Sequence, residues 1–173
     1  MMLADAHAKT EQYLRESGVP FVVLRKGWYL ESYASQFPLY LETGVVPGSA
    51  GDGRVNAASR RDYAVAAAAV LAGEGHAGSV PNWAGENAFT LAELASALSD
   101  ASGRHVVYSD LPAAQYRAAL LDAGLPAELA EVLAASGLGL RRGELFTNSG
   151  DLRRLIGRPA TGLAGVLTGA LES

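Results

Sequence analysis

The 173-residue chain contains no cysteine, which excludes disulfides, Cys-ligated zinc, iron–sulfur clusters and thiolate nucleophiles. Its three histidines, His7, His76 and His105, are far apart and lack metal-ligand spacing, so no metal site is expected. Lysine is nearly missing too: two lysines accompany twelve arginines, and the formal charge is −4. Without a basic surplus to neutralise phosphates, nucleic acid is not an expected partner. No apolar run approaches the roughly 18 residues of a membrane helix, and no secretion signal opens the chain. A cytoplasmic protein with no membrane partner is the expectation. A Gly-x-Ser-x-Gly elbow is also lacking.

What is present is apolar and punctuated. Hydrophobic residues make up 49 % of the chain, and 20 glycines and seven prolines are scattered without a repeat. A chain of this length buries roughly 70 % of its extended surface, enough for one real core. Asp5 can cap a helix over residues 6–17 that stops at Gly18. Pro20 opens a continuous apolar run, Phe21-Val22-Val23-Leu24, which ends at Arg25-Lys26-Gly27. Such a run without polar alternation reads as a strand buried on both faces of a parallel sheet.

Further along, a helix is predicted over 29–42, stopping at Gly44, followed by short strands at 45–46 and 54–58. Ser59 can cap the next helix, with Asp62 at its N3 position. A strand follows over 79–85. Thr90 and Glu93 form a capping box for a helix over 91–101, with Phe89 and Leu94 placed as a hydrophobic staple. After a strand at 105–109, Ala/Leu helices run to the end. They are expected to break near Gly124-Leu125-Pro126, Gly137-Leu138-Gly139 and Gly157-Arg158-Pro159. Strands alternating with helices favour an α/β layered fold.

Three features bear on chemistry. His7 and Glu11 share a helix face, either as a solvated pair or as a weak metal or acid/base pair. Gly48, Gly51 and Gly53 resemble a phosphate loop. They lead into a strand rather than a helix, however, and so read as a turn. The end of the 21–24 strand is the most informative, because parallel sheets bind ligands beyond the carboxyl ends of their strands. There Arg25 and Lys26 can meet an anion, Gly27 admits close approach of a flat ligand, and Trp28 or Tyr29 can stack. The competing reading is a strand end solvated by cations, with its aromatics packed under the next helix.

Several blocks, taken in order, resemble the NmrA-like branch of the atypical short-chain dehydrogenases, in particular the NAD(P)H:quinone oxidoreductase type. They are His7-Ala8-Lys9-Thr10-Glu11, Gly18-Val19-Pro20-Phe21, Leu24-Arg25-Lys26-Gly27-Trp28-Tyr29-Leu30-Glu31, Gly51-Asp52-Gly53, Arg61-Asp62-Tyr63-Ala64, Ala84-Gly85, Thr90-Leu91 and Gly124-Leu125-Pro126. The opening strand and Gly-rich loop of that family have no counterpart, so the likeness is to its C-terminal portion. The Tyr-x-x-x-Lys pair of the superfamily is also missing: Asp5 and Val22 stand four residues before Lys9 and Lys26, and His7 stands where that lysine would.

The resemblance implies an α/β fold, the C-terminal half of a Rossmann-like doubly wound parallel sheet plus a small helical substrate lobe. Residues 1–103 would form the dinucleotide-binding part and 104–173 the substrate-side lobe. It further implies part of an NADP- or NAD-dependent reductase of quinones or similar flat carbonyl compounds, or alternatively a non-catalytic nucleotide or redox sensor or partner-binding protein. His7 and Tyr29 would be catalytic. Leu24, Arg25, Lys26, Gly27, Trp28 and Tyr29 would meet the cofactor. Because no strand of the first 18 residues can pair with the 21–24 edge, homodimerisation or other association through that edge is expected.

Overall fold

The computed structural model of the protein describes residues 2–171. In chain order the elements are α1 (Met2–Glu16), β1 (Arg25–Lys26), α2 (Leu30–Ala34), α3 (Phe37–Thr43), β2 (Val45–Gly48), α4 (Arg60–Ala72) and β3 (Asn82–Trp83). They continue with α5 (Leu91–Ser102), β4 (Val107–Asp110), α6 (Ala113–Asp122), α7 (Ala127–Arg141), α8 (Asp151–Ile156) and α9 (Leu163–Leu171). Two parallel strand pairs result, β1 with β3 and β2 with β4, each joined through intervening helices. The fold is α/β, as the alternation of strands and helices predicts.

The apolar run before Arg25 is extended but only half-buried, not buried on both faces as expected. It does pair with the 79–83 segment. The N–H groups of Val23, Arg25 and Gly27 donate to the carbonyls of Ser79, Pro81 and Trp83 at 3.1, 3.1 and 2.8 Å. Regular strand is confined to two residues on each side because Pro81 has no N–H to return to Val23. That parity turns the N–H groups of Val22, Leu24 and Lys26 toward the opposite edge, where no described residue pairs with them.

Local capping chemistry is as the sequence predicts for α4 and α5. The Ser59 hydroxyl accepts from the Asp62 N–H, and Thr90 and Glu93 complete a reciprocal box. Four expectations are corrected. Asp5 lies inside α1, which starts at Met2. The 29–42 segment splits into α2 and α3, because Pro38 opens a new helix. The 54–58 segment is no strand: Val55 bridges Phe89, the Asn56 N–H reaches Leu145, and Ala58 bridges Tyr29. Changing partner at each residue prevents a continuous ladder. Lastly, α7 runs unbroken through Gly137 and Gly139 to Arg141. A Cβ at Gly137 would run into the Ser49 hydroxyl, and one at Gly53 into the Leu140 carbonyl. These glycines therefore let α7 lie directly on the 48–53 loop.

Two apolar clusters hold the elements. The larger gathers Phe37, Val46, Val55, Leu94, Leu98 and Leu140, among others. The smaller joins Tyr63, Ala66 and Val70 of α4 to Trp83 and Leu152. Through Leu152, α8 returns from the late helical region onto α4 and β3. Among the described residues, no helix is long and apolar enough to cross a membrane.

Candidate active site at the end of the first strand

Strand alternation divides the predicted site residues between two faces. Arg25 points toward α1, where its guanidinium donates to both carboxylate oxygens of Glu11 at 2.7 and 2.6 Å. Arg15, one turn on, donates to the same carboxylate at 2.9 Å. Hydrogen bonds from Arg25 first, and then from Arg15, outweigh burial and hold the Glu11 carboxyl down at about 2. Arg25 is thus committed to an ion pair. His7, one turn before Glu11, is exposed and lines neither of the two described cavities.

On the opposite face, Leu24, Lys26 and Tyr29 come together with Arg60, Tyr63, Ala64, Ala67 and Trp83 around an open cavity of about 460 Å³. The Tyr29 ring meets the Tyr63 ring edge-on at 5.5 Å, and Tyr63 stacks on Trp83 at 6.5 Å. The Lys26 ammonium and the Arg60 guanidinium lie 6.0 and 5.4 Å from the Tyr29 ring centre.

Between the two faces, the Gly27-Trp28 backbone is clamped. The Tyr63 hydroxyl is shared between the carbonyls of Trp28 and Trp83, at 3.3 and 3.4 Å. Burial first, and then the field of Tyr29, raises the Tyr63 phenol above its ordinary range. The Ala58 N–H donates to the same Trp28 carbonyl at 3.1 Å. A Cβ on Gly27 would sit 3.2 Å from the Trp83 carbonyl oxygen, 3.3 Å from the Tyr63 hydroxyl and 3.4 Å from the Asn56 carbonyl oxygen. The close approach at Gly27 is therefore made by the protein itself. Trp28 packs against the larger cluster, with its indole N–H buried and unpartnered.

Sequence reasoning missed two buried structural anchors near this site. Asn56 is buried. Its amide donates to the Gly85 carbonyl at 2.9 Å and its side-chain oxygen accepts from the Thr147 N–H at 3.0 Å. Asp62 is fully buried, accepting from Arg158 at 2.6 Å, the Thr161 N–H at 2.7 Å and the Ser59 hydroxyl at 2.9 Å. Burial alone would raise the Asp62 carboxyl, yet the hydrogen bonds from Thr161, Ser59 and Arg158 lower it. The available signals were a lone amide between Val55 and Ala57, and an aspartate already serving as a cap partner.

The 48–53 loop is a turn. The Gly51 N–H donates to Asp110 at 2.9 Å, and Asp110 is also paired with Arg141. The Ala50 and Gly53 N–H groups are taken as well, by the Tyr108 hydroxyl at 2.9 Å and the Ala50 carbonyl at 3.0 Å. Among the described residues, no group of three His, Cys, Asp or Glu could hold a metal.

The parallel strand pairs joined through helices are an α/β arrangement of the Rossmann-like kind. The chain is 48 % identical over 162 residues to quinone oxidoreductase 2 of Escherichia coli (strain K12), covering 94 % of this chain and 57 % of that protein. The crystal structure of the Escherichia coli NADPH-dependent quinone oxidoreductase matches 98 % of this chain with a TM-score of 0.95 and 46 % identity, over 62 % of its own length. The triphenylmethane reductase of Citrobacter sp. matches all of it, with a TM-score of 0.92 and 32 % identity, over 60 % of that chain. No family model matches. The chain is also 31 % identical over 101 residues to an NmrA-like family domain-containing oxidoreductase of Aspergillus flavus, covering 58 % of this chain. It spans 57 and 54 % of the first two curated relatives it matches.

Proposed function

We propose that this chain is the C-terminal portion of an NADP-dependent cytoplasmic reductase of quinones or similar flat carbonyl compounds. The observation that carries the reading is the match over nearly the whole chain to a quinone oxidoreductase whose structure has also been solved with NADPH. When bound, the nicotinamide supplies a hydride to the substrate directly. The described residues fit one end of such a cofactor. The ends of β1 and β3 lie side by side, tied by the Gly27 N–H donating to the Trp83 carbonyl at 2.8 Å, and Lys26 and Tyr29 border the open cavity beside them. They do not include a free phosphate cradle, since the Gly51 N–H is taken by Asp110.

In this reading Gly27, Trp28 and Tyr29 border the nicotinamide end, with Leu24 and Lys26 below them. Arg25 acts by anchoring α1, and His7 offers a polar group from the open face of α1. Residues 104–173 would form the substrate-side lobe over 1–103.

The test is a chimera in which residues 1–173 replace the matching portion of the Escherichia coli enzyme. NADPH oxidation on adding a quinone supports the reading. A folded chimera that binds NADPH without turnover would instead support the sensor alternative. In the same chimera, His7→Ala should lower the rate about tenfold, the equivalent of one hydrogen bond. An unchanged rate would remove His7 from the site.

The unpaired N–H groups of Val22, Leu24 and Lys26 carry a second part of the reading, which is that the isolated chain associates through this edge. Sedimentation should show dimers or larger species that Val22→Pro or Leu24→Pro dissolves. A monomer at high micromolar concentration would refute it.

A further inference from the structure

Of the chain's twelve arginines, nine are paired with carboxylates: Arg15, Arg25, Arg54, Arg117, Arg141, Arg142, Arg153, Arg154 and Arg158. In a chain with a net charge of −4, a cation without a carboxylate partner stands out. Arg60 and Lys26 have none among the described residues, and both border the cavity between β1 and α4. The nearby carboxylate, Glu31, is engaged elsewhere: both its oxygens accept from the Arg60 backbone N–H, at 2.8 and 3.1 Å. The first turn of α4 is therefore capped, and the two side-chain cations are left facing an aromatic wall.

That wall is built for a flat ring. Tyr29 and Leu24 give it apolar surface over the floor made by Trp83, and Ala64 and Ala67 keep the α4 side low. Trp83 is 1 % exposed and its indole N–H has no partner. The cavity volume, about 460 Å³, lies within the range of small-molecule sites, roughly 300–1,000 Å³. Apolar lining with a few convergent polar groups is the composition that small ligands use.

We propose that this cavity binds a flat aromatic anion. The ring would lie against Tyr29 and Leu24, and the sulfonate or carboxylate would be met by Lys26 and Arg60. The cations are attracted to the face of Tyr29 already, which positions them for an acidic group carried on a ring stacked there. Leu24, Lys26 and Tyr29 are the residues read above as bordering the nicotinamide end, so the proposal rests on that reading. Binding itself needs no turnover, and it can fail while the chimera still oxidises NADPH.

Calorimetric titration of the 173-residue chain with naphthalene-2-sulfonate, and with neutral 2-naphthol, tests the proposal. The sulfonate should bind at one site, at least tenfold tighter than the naphthol, and more weakly as salt is added. Arg60→Gln and Lys26→Gln should each weaken it about tenfold, in line with loss of one charge-assisted hydrogen bond. Arg61→Gln, exposed on the same helix but outside the cavity, should leave it unchanged. Ala67→Phe, which fills the cavity, should abolish binding of both probes, with a retained melting transition showing that the chain is folded. Equal affinity for the two probes would overturn the proposal. So would an Arg61→Gln loss equal to that of Arg60→Gln, or sulfonate binding unaffected by Ala67→Phe.

Discussion

Arg25 and Glu11 form a two-point ion pair that fastens α1 to the strand carrying the candidate site. Glu11 is 7 % exposed, so its carboxylate depends on this partner rather than on water. The consequence is a pH-dependent attachment. The folded Glu11 carboxyl, at about 2, lies below its ordinary 4.5, so the pair stabilises the fold fully above about pH 4.5. That contribution fades as pH falls toward 2. Chemical denaturation followed from pH 6 to pH 2 should show the loss. Glu11→Gln should be less stable at neutral pH, by about 1–3 kcal/mol, and should show a shallower acid slope. Identical slopes in the two proteins would mean that the pair contributes nothing.

Gly27 is held against the protein's own carbonyl and hydroxyl oxygens at 3.2–3.4 Å. Gly27→Val should therefore destabilise the fold by about 1–3 kcal/mol, lowering the melt by several degrees, as well as changing any activity. Gly27→Ala should fall between the two. A valine variant that melts like the parent would show that space remains there for a ligand.

Asp62 collects the Arg158 guanidinium, the Thr161 N–H and the Ser59 hydroxyl. It thereby ties the segment between α8 and α9 to the start of α4. Asp62→Asn should cost about 2–3 kcal/mol in urea unfolding, because it removes a buried charge-assisted acceptor. It should also expose residues 158–161 to faster amide exchange. Unaltered exchange at Thr161 would contradict this role.

Gly137 meets the Ser49 side chain where α7 crosses the 48–53 loop. Gly137→Ala would ordinarily favour a helix by roughly 0.5–1 kcal/mol. Here the added methyl collides with Ser49, so the net effect should be destabilising. Adding Ser49→Gly should restore the loss. A simple gain from Gly137→Ala alone would show that α7 does not lie this close.

Local signals carried the caps, because their partners are three residues apart. Ser59 with Asp62 and Thr90 with Glu93 are readable without a fold. The same holds for the α/β alternation, whereas the strand read over 21–24 is regular only at Arg25–Lys26, the residues expected to lie beyond its end. The likeness of the ordered blocks was also a property of the sequence alone.

Tertiary structure decided everything that depends on which distant segments meet. Period-two alternation separates Arg25 from Lys26, but only the placement of α1 and α4 determined that one would bind Glu11 and the other face Tyr29. Pro81, 56 residues away from Arg25 in sequence, cut the strand short by withholding one N–H. The 54–58 segment looks like a strand by composition, yet it pairs in turn with Phe89, Leu145 and Tyr29 and forms no ladder. Gly137 and Gly139 look like a helix break, because glycine lowers intrinsic helicity. Close packing on the 48–53 loop outweighed that preference and kept α7 continuous.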